Sequence, residues 1–229
     1  MLDLLFALAA LSGAPEATRE PEPASPPERC VAVMRDFLQP LGLSHEKLAA
    51  FEPRRLQFRI RLTPVAEHLK PDMLRLSLID GAGGRTVYPA NRVGAFDIPM
   101  SRFAEGEETR LHIGPDCKGG FAVGAELAVL GPHGMSPDKQ GIREAMAESD
   151  ALIRQQGFLV RLFAPKLRTL VVRFPVGQTG ECTGQAGKKA QPYRVNERFE
   201  LNVSLKDYFQ YDSFSCRAAP EEILLSADR

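Results

Sequence analysis

The sequence, 229 residues long, contains no tryptophan and no excess of either charge. Its 29 basic residues equal its 29 acidic residues, so the formal net charge is zero and no long-range field attracts nucleic acid or an anionic membrane. We therefore predict no nucleic-acid partner. Hydrophobic residues at 44% and charged residues at 25% are typical of a globular protein and exclude a disordered or fibrous chain.

The chain also lacks the common signatures of metal, nucleotide and nucleophile sites. Its four cysteines form no Cys-x-x-Cys pair, and no histidine has another His or a Cys three or four residues away, so we predict no metal site. The loop Cys182–Lys189 lacks the first Gly and the final Ser or Thr of a phosphate-binding loop, and no Gly-x-Ser-x-Gly motif is present, so no cofactor is predicted. The histidines are interpreted as surface residues: His45, His68, His112 and His133.

Long hydrophobic runs are absent except at the N-terminus. Residues 1–14 are too short to cross a bilayer as a helix but fit the core of a signal peptide, although Asp3 stands where Lys or Arg is usual. Residues 15–28 contain five prolines and predict an extended Pro/Glu-rich tether. We expect a periplasmic or secreted protein without an integral membrane span after signal cleavage. The alternative, if the run is not a signal, is a cytoplasmic chain.

Two stretches about a hundred residues apart share one order of features, which predicts a repeat. Each has a helix, two strands, a Gly-rich loop, a Tyr-Pro or Pro-Tyr step at Tyr88–Pro89 or Pro192–Tyr193, a short strand and then Cys117 or Cys216. The pattern favours a mainly β (α+β) fold, a tandem repeat of two antiparallel β-sandwich-like domains each preceded by a helix. The predicted domains cover residues 29–133 and 140–229, with a linker at 134–139.

Local periodicity predicts the individual elements. Leu56, Phe58, Ile60 and Leu62 alternate with polar residues, which indicates a half-buried strand with a wet, basic outer face. The range from Asp138 to Gln156 predicts the clearest helix, with Gly157 as its stop. Further strands are predicted in the second half at Phe158–Phe163, Leu167–Phe174, Phe199–Leu205 and Glu222–Ser226.

The cysteines predict two disulfides if the chain is exported. Cys182 in the Gly-rich loop is expected to pair with Cys216, and Cys30 is the intradomain partner that remains for Cys117. The alternative is four buried reduced thiols, which would accompany a cytosolic location.

The loop with Cys182, the Pro192–Tyr193 step, the strand Phe199–Leu205 and Cys216 together resemble a group of uncharacterised bacterial periplasmic domains of unknown function. Those domains carry a cysteine-bearing loop, a Tyr-Pro-Leu-like step, a short strand that ends in an apolar-Pro pair and a later cysteine. The match covers roughly the second half of the chain, while the first half preserves the apolar-Pro pair at Ile98–Pro99. The resemblance implies a periplasmic β-rich module and no known activity.

Two groups of side chains are candidate binding surfaces. Arg55, Arg59 and Arg61 share one face of a strand and, with Arg75 on a neighbouring strand, suggest a basic stripe for an acidic partner. A solvated charged face that discourages edge pairing is the alternative. A second candidate surface consists of the aromatic residues near the C-terminus, for which core packing is the alternative: Tyr193, Tyr208 and Tyr211.

These features favour a non-enzymatic exported envelope protein that binds a protein or an envelope component through its sheet edges or the groove between its domains. The alternative is a small periplasmic hydrolase or ligand-binding enzyme with its site in that groove. An enzyme would require a concave pocket with two or more titratable groups within hydrogen-bond reach.

Overall fold

The computed structural model describes residues 31–106, 109–114, 120–164, 166–178 and 180–227; the predicted signal peptide and tether lie outside them. Short 3-10 helices occupy Gln39–Leu41, Pro71–Met73 and Met100–Glu105. The α-helices are α1 (Met34–Leu38), α2 (His45–Ala49), α3 (Lys139–Gln156), α4 (Phe158–Phe163) and α5 (Leu205–Gln210). The strands are β1 (Val31–Val33), β2 (Leu56–Pro64), β3 (Arg75–Ile79), β4 (Arg85–Pro89), β5 (Ala95–Phe96), β6 (Arg110–Gly114), β7 (Phe121–Val129), β8 (Thr169–Arg173), β9 (Glu181–Ala186), β10 (Lys189–Arg194), β11 (Glu200–Ser204), β12 (Ser213–Cys216) and β13 (Glu222–Ser226).

Three antiparallel sheets dominate the structure, which confirms the prediction of a mainly β protein. The largest sheet has six strands in the order β11-β8-β13-β7-β2-β5. A four-stranded sheet has the order β1-β6-β3-β4, and a three-stranded sheet has the order β10-β9-β12. Among the described residues, no helix has the length and apolar character needed to cross a membrane.

The two halves of the chain pair their strands in the same order. In the first half β2 lies between β5 and β7, and β3 lies between β4 and β6. In the second half β8 lies between β11 and β13, and β9 lies between β10 and β12. β7 pairs with β13, with Leu127 opposite Leu225. One six-stranded sheet therefore runs through both halves, an arrangement that two self-contained sandwiches would not have.

Strand β2 shows the alternation that its sequence predicts. Leu56, Phe58, Ile60 and Leu62 are all buried in the core. The expectation of a wet, basic outer face is wrong at Arg59, which is only 8% exposed, because acidic side chains of neighbouring elements cover its guanidinium.

Helix α3 covers the apolar side of the six-stranded sheet and confirms the predicted helix. Its N-cap is Asp138, whose carboxylate accepts hydrogen bonds from the amides of Gln140 and Gly141. Its apolar stripe reaches both core clusters, since Ile142 packs with the core of the second half and Leu152 with that of the first. The helix ends at Gly157.

The prediction of a strand at Phe158–Phe163 is wrong, because this segment is helix α4. Its backbone bonds are helical, as the amide of Ala164 donates to the carbonyl of Val160 at 2.7 Å. Phe158 and Leu162, four residues apart, are both largely exposed. A run of six residues, five of them apolar, fits a strand or a helix equally well, so its periodicity does not decide between them.

The predicted disulfide between Cys182 and Cys216 is present. The two residues stand directly opposite each other on β9 and β12, and the bond closes a separation of 34 residues. Cys30 and Cys117 lie outside the described residues.

Removal of the Cys182–Cys216 bond should destabilise the protein by about 4 kcal/mol, because the unfolded chain regains the entropy of a loop of this length. For a chain of this size, that corresponds to a fall in Tm of roughly 8–15 °C. We expect this shift in thermal unfolding of the Cys182→Ala/Cys216→Ala variant relative to the oxidised protein. Excess reductant should lower the Tm of the native chain similarly, and a Tm that stays unchanged in both experiments would contradict the prediction.

Candidate functional site

One side of the six-stranded sheet carries a row of charged side chains that crosses both halves of the chain. Side chains alternate along a strand, so residues next to core positions such as Ile60 and Val172 point to the opposite side. We call this side the polar face. Its charged members on the strands are Arg59, Arg61, Glu126, Arg173, Glu200 and Glu222.

Arg173 lies at the centre of the polar face and is 3% exposed. Its Nε donates to Glu200 Oε1 at 2.9 Å, its Nη2 donates to Glu126 Oε1 at 3.2 Å, and its Nη1 donates to Glu222. Glu200 and Glu222 stand directly opposite Arg173 on β11 and β13, so the strand register brings them together. A buried guanidinium needs such partners because an unpaired buried charge is costly.

Two ion pairs of the polar face join the halves of the chain. Arg59 of β2 donates from Nη1 to Glu222 Oε1 of β13 at 2.6 Å, and Arg173 of β8 pairs with Glu126 of β7. Arg61 Nη1 lies 3.7 Å from Glu126 Oε1. The first two of these contacts cross the pairing of β7 with β13 and stabilise it on its polar side, whereas the contact of Arg61 lies within the first half.

The charges of the polar face shift the titration of its members. Burial favours protonated Glu222, but the charges and hydrogen bonds of Arg59 and Arg173 outweigh it and lower the pKa of Glu222 below its ordinary value. Burial also disfavours charged Arg173, but the neighbouring carboxylates raise the pKa of Arg173 above its ordinary value. Both groups are therefore charged at neutral pH.

A cavity of about 770 Å³ opens over the polar face, beside the junction of the two halves. Its floor includes Val171 and Arg173 of β8 and Asn202 of β11. Loop residues from each half form its walls, among them Arg92 from the first half and Arg198 from the second. The cavity takes lining residues from both halves, while the groove predicted between two domains stays a prediction.

Two turns with the same hydrogen-bond pattern build the walls. The Oδ1 of Asn91 accepts from the backbone amides two and four residues further on, at 3.1 and 2.9 Å. The Oδ1 of Asn196 accepts from the corresponding amides at 2.9 and 3.1 Å. Asparagine suits both positions because its side chain can bond the backbone that follows it.

The fourth residue of each turn has a left-handed backbone. Gly94 has a φ of +83°, and a Cβ there would lie 2.2 Å from the carbonyl oxygen of Leu62, so only glycine fits. Phe199 has a φ of +58° and is the only non-glycine residue with positive φ in the described ranges. Phe199 is one of the residues that line the cavity.

Arg92 fastens the first wall to the second half of the chain. Its Nη1 donates to the carbonyl of Arg198 at 3.0 Å, and its Nη2 donates to the carbonyl of Phe174 at 3.0 Å. Carbonyl oxygens bind the guanidinium without neutralising its charge. The positive charge of Arg92 therefore has no carboxylate partner among the described residues.

Three polar atoms of residues that line this cavity are buried and have no hydrogen-bond partner among the described residues. They are Glu126 Oε2, Arg61 Nε and Arg92 Nε. Each of these atoms is closed off from solvent, so it lies beneath the surface of the cavity, and a further atom of this kind, Gln156 Nε2, belongs to a residue that does not line it.

The predicted basic stripe is divided among different surroundings. Arg59 and Arg61 belong to the polar face, but Arg55 donates from Nε to Glu144 of α3 at 2.9 Å. Arg75 lies in the four-stranded sheet, and its Nη1 donates to the backbone carbonyls of Asp72 and Leu74. The four arginines therefore do not share one sheet.

The predicted tyrosines lie together around Phe214, beside the disulfide. The hydroxyls of Tyr193 and Tyr211 share a hydrogen bond of 2.5 Å, and burial together with this bond raises the pKa of Tyr193. Tyr208 is fully buried, and its hydroxyl donates to the carbonyl of Pro137 at 2.9 Å. The Tyr211 ring lies against Gly184, where a Cβ would come within 2.3 Å of it. Tyr208 is thus a core residue rather than a binding surface.

Ser77 and His112 stand opposite each other on β3 and β6, but they do not form a nucleophile–base pair. Arg85 Nη2 donates to Ser77 Oγ at 3.0 Å and lies 3.3 Å from His112 Nδ1, so a cation separates the two groups. Burial and the charge of Arg85 lower the pKa of His112. Within the described ranges, no group of three or more His, Cys, Asp and Glu residues is arranged to hold a metal ion.

Sequence reasoning identified Arg59 and Arg61 on the polar face and missed its remaining charged groups. Glu126 is the only charged residue of β7 and Arg173 is the only charged residue of β8, and a lone charge in a mostly apolar strand is the signal that indicates a buried ion pair. Arg92 and Arg198 follow asparagines in loops, and nothing in their local sequence marks them.

Comparison of the chain with protein-family models, with curated proteins and with solved structures finds no match.

Replacement of Arg173 by Met should destabilise the fold by about 3–5 kcal/mol, because three carboxylates would lose their shared cation in a buried site. Equilibrium unfolding in urea at neutral pH measures this loss. The control is Arg194→Met, since Arg194 is exposed and 3.9 Å from Glu181, and it should change stability by about 0.5 kcal/mol or less. Equal effects of both substitutions would contradict the role assigned to Arg173.

The lowered pKa of Glu222 predicts a loss of stability in acid. The contribution of Glu222 to the free energy of unfolding is fully present above the pKa of the unfolded state, about 4.3. It disappears as the pH falls through the lower pKa of the folded state. Urea unfolding at a series of pH values should therefore show that the free energy of unfolding falls less steeply in acid for Glu222→Gln than for the native chain. The exposed neighbour Glu221 provides the control, and a Glu221→Gln profile should parallel the native one.

Proposed function

We propose that this protein is a non-enzymatic binding module of the periplasm or cell exterior, whose ligand site is the cavity over the polar face. The coincidence of concave space with exposed polar side chains from both halves carries this proposal. A polar ligand would contact Arg61, whose side chain is 42% exposed, together with the exposed Arg198 and Asn202. Sites of this kind combine a few convergent polar groups with apolar lining, and Val171 and Leu224 supply the apolar part.

The sheet edges are weaker candidates for a binding surface than the cavity. β10 is exposed along most of its length and is the last strand of its sheet. Pro192 in its middle has no N–H group to offer to an added strand. β4, the last strand of the four-stranded sheet, ends in Pro89.

Binding also has more support than hydrolysis at this site. General acid–base catalysis near neutral pH needs a group with a pKa close to 7, whereas the pKa of Glu222 beside the cavity is displaced downward. Glu200 and Glu126 at the cavity are held in ion pairs with Arg173.

The disulfide between Cys182 and Cys216 supports the proposed export, because such bonds persist in oxidising compartments. The apolar run and the Pro-rich tether in residues 1–28 agree with this location. The resemblance to uncharacterised periplasmic domains remains a prediction that fits the same location.

We also infer that the two halves are copies of one unit. The shared pairing order supports this inference, and so does the gap-free correspondence of residues 90–105 with 195–210. Phe103 and Tyr208, which correspond in this register, are both fully buried. In the same scheme Leu76 and Ile113 are the cross-strand pair that corresponds to the disulfide.

A substitution that fills the cavity tests the proposed function. Asn202 is exposed and lines the cavity, so Asn202→Trp should occupy the space without disturbing the core. In an NMR screen of small polar fragments, we expect fragments to change the chemical shifts of residues around Asn202 and Arg198 in the native chain. These changes should be lost in Asn202→Trp. Gln191→Trp, an exposed position on β10 outside the cavity, should keep them. An absence of fragment binding, or binding that survives Asn202→Trp, would overturn the proposal.

A further inference from the structure

A second cavity, of about 610 Å³, adjoins the first along β8 and β11. Thr169 and Asn202 line both cavities, so the two spaces are neighbours over one side of the sheet. The second cavity adds Arg168 and Lys206 to the lining. We call the combined space the basic groove.

The basic groove has cations at both ends that no carboxylate of the described residues neutralises. Arg92 and Arg198 stand at one end, and Arg168 and Lys206 stand at the other. Arg92 binds only carbonyl oxygens, and the side chains of the other three form no ion pair within the described ranges.

The acidic residues of the groove compensate these cations only in part. Glu126 and Glu200 line the groove, but both are paired with Arg173. Glu197 is an exposed carboxylate at the first end, and no acidic residue lines the second cavity. An excess of positive charge therefore faces the groove in a chain whose net charge is zero.

Apolar side chains lie between the two charged ends. Val171 and Leu224 belong to the floor of the first cavity, and Leu205 lines the second. A ligand that matches this order carries negative charges separated by apolar groups.

We propose that the basic groove binds an acidic peptide segment. This proposal rests on the binding function proposed above. Carboxylates of the peptide pair with the cations at the two ends, and an apolar side chain between them packs on Val171 and Leu224. A single-stranded nucleic acid would favour several aromatic stacking platforms, whereas Phe199 is the only aromatic residue that lines either cavity. An acidic polysaccharide would leave the apolar strip without a partner.

Fluorescence anisotropy with labelled peptides of about ten residues tests this proposal. One peptide alternates Glu with Leu and Gly, and its matched partner has Gln in place of Glu. Heparin fragments and a single-stranded oligonucleotide are the competing anions. We expect the Glu peptide to bind more tightly than the Gln peptide, the heparin fragments and the oligonucleotide. Its affinity should fall as the salt concentration rises.

Charge reversal at the two ends of the groove gives the sharper test. The Arg198→Glu/Lys206→Glu variant should bind the Glu peptide roughly tenfold or more weakly, as expected for the loss of two exposed ion pairs and their replacement by repulsion. The control variant Arg194→Glu/Arg217→Glu changes the net charge equally at exposed positions outside the groove. Its affinity should stay within about twofold of the native value.

The outcomes separate this inference from the proposed function. Equal affinity for the Gln peptide, tighter binding of heparin or oligonucleotide, or equal weakening in the control variant would overturn the acidic-peptide assignment. If polar fragments still bind in a manner sensitive to Asn202→Trp, the binding function stands without it. If neither fragments nor peptides bind, both proposals fail.

Discussion

The pairing of β7 with β13 is the contact on which the rest of the described structure depends. It is where the strands of one half meet those of the other, with Leu127 opposite Leu225. Below the sheet, Leu127 packs against both core clusters, so the apolar interior is continuous across the junction. Above it, Arg59 and Arg173 each reach a carboxylate on the far side. Contacts on both sides of the sheet therefore stabilise the pairing of β7 with β13.

The buried charges explain register better than they explain stability. Apolar residues of similar volume would often stabilise such a junction as well or better, because desolvation offsets much of the attraction between buried ions. A slip of one residue along β7 or β13, however, would turn Glu126 or Glu222 into the apolar core. The ion pairs thus disfavour wrong registers between β7 and β13, which the apolar residues of the two strands do not exclude by themselves.

The elements that the sequence predicted well are those whose signal is local. Alternation identified β2, and the Asp138 cap with the Gly157 stop identified α3. Cysteine positions within one half sufficed for the Cys182–Cys216 bond. Helix α4 was mispredicted as a strand because a segment of six residues, five of them apolar, is too short to show a diagnostic period.

The candidate site escaped prediction for a different reason, since its parts are brought together by strand order. Glu126 and Arg173 are 47 residues apart, and Arg59 and Glu222 are 163 residues apart. Only the antiparallel order of β2, β7, β13 and β8 places them side by side. The placement of the predicted basic stripe depended on strand order in the same way, and Arg75 lies in a different sheet from Arg59 and Arg61.

The two turns that wall the cavity differ at the residue where the backbone turns left-handed. Gly94 adopts that conformation freely, while a side chain such as that of Phe199 opposes it by roughly 1–2 kcal/mol. The second turn therefore tolerates a less favourable backbone at a residue that lines the cavity. Because Asn196 already anchors this turn, a different residue at 199 would alter the cavity wall while the strands beneath keep their pairing.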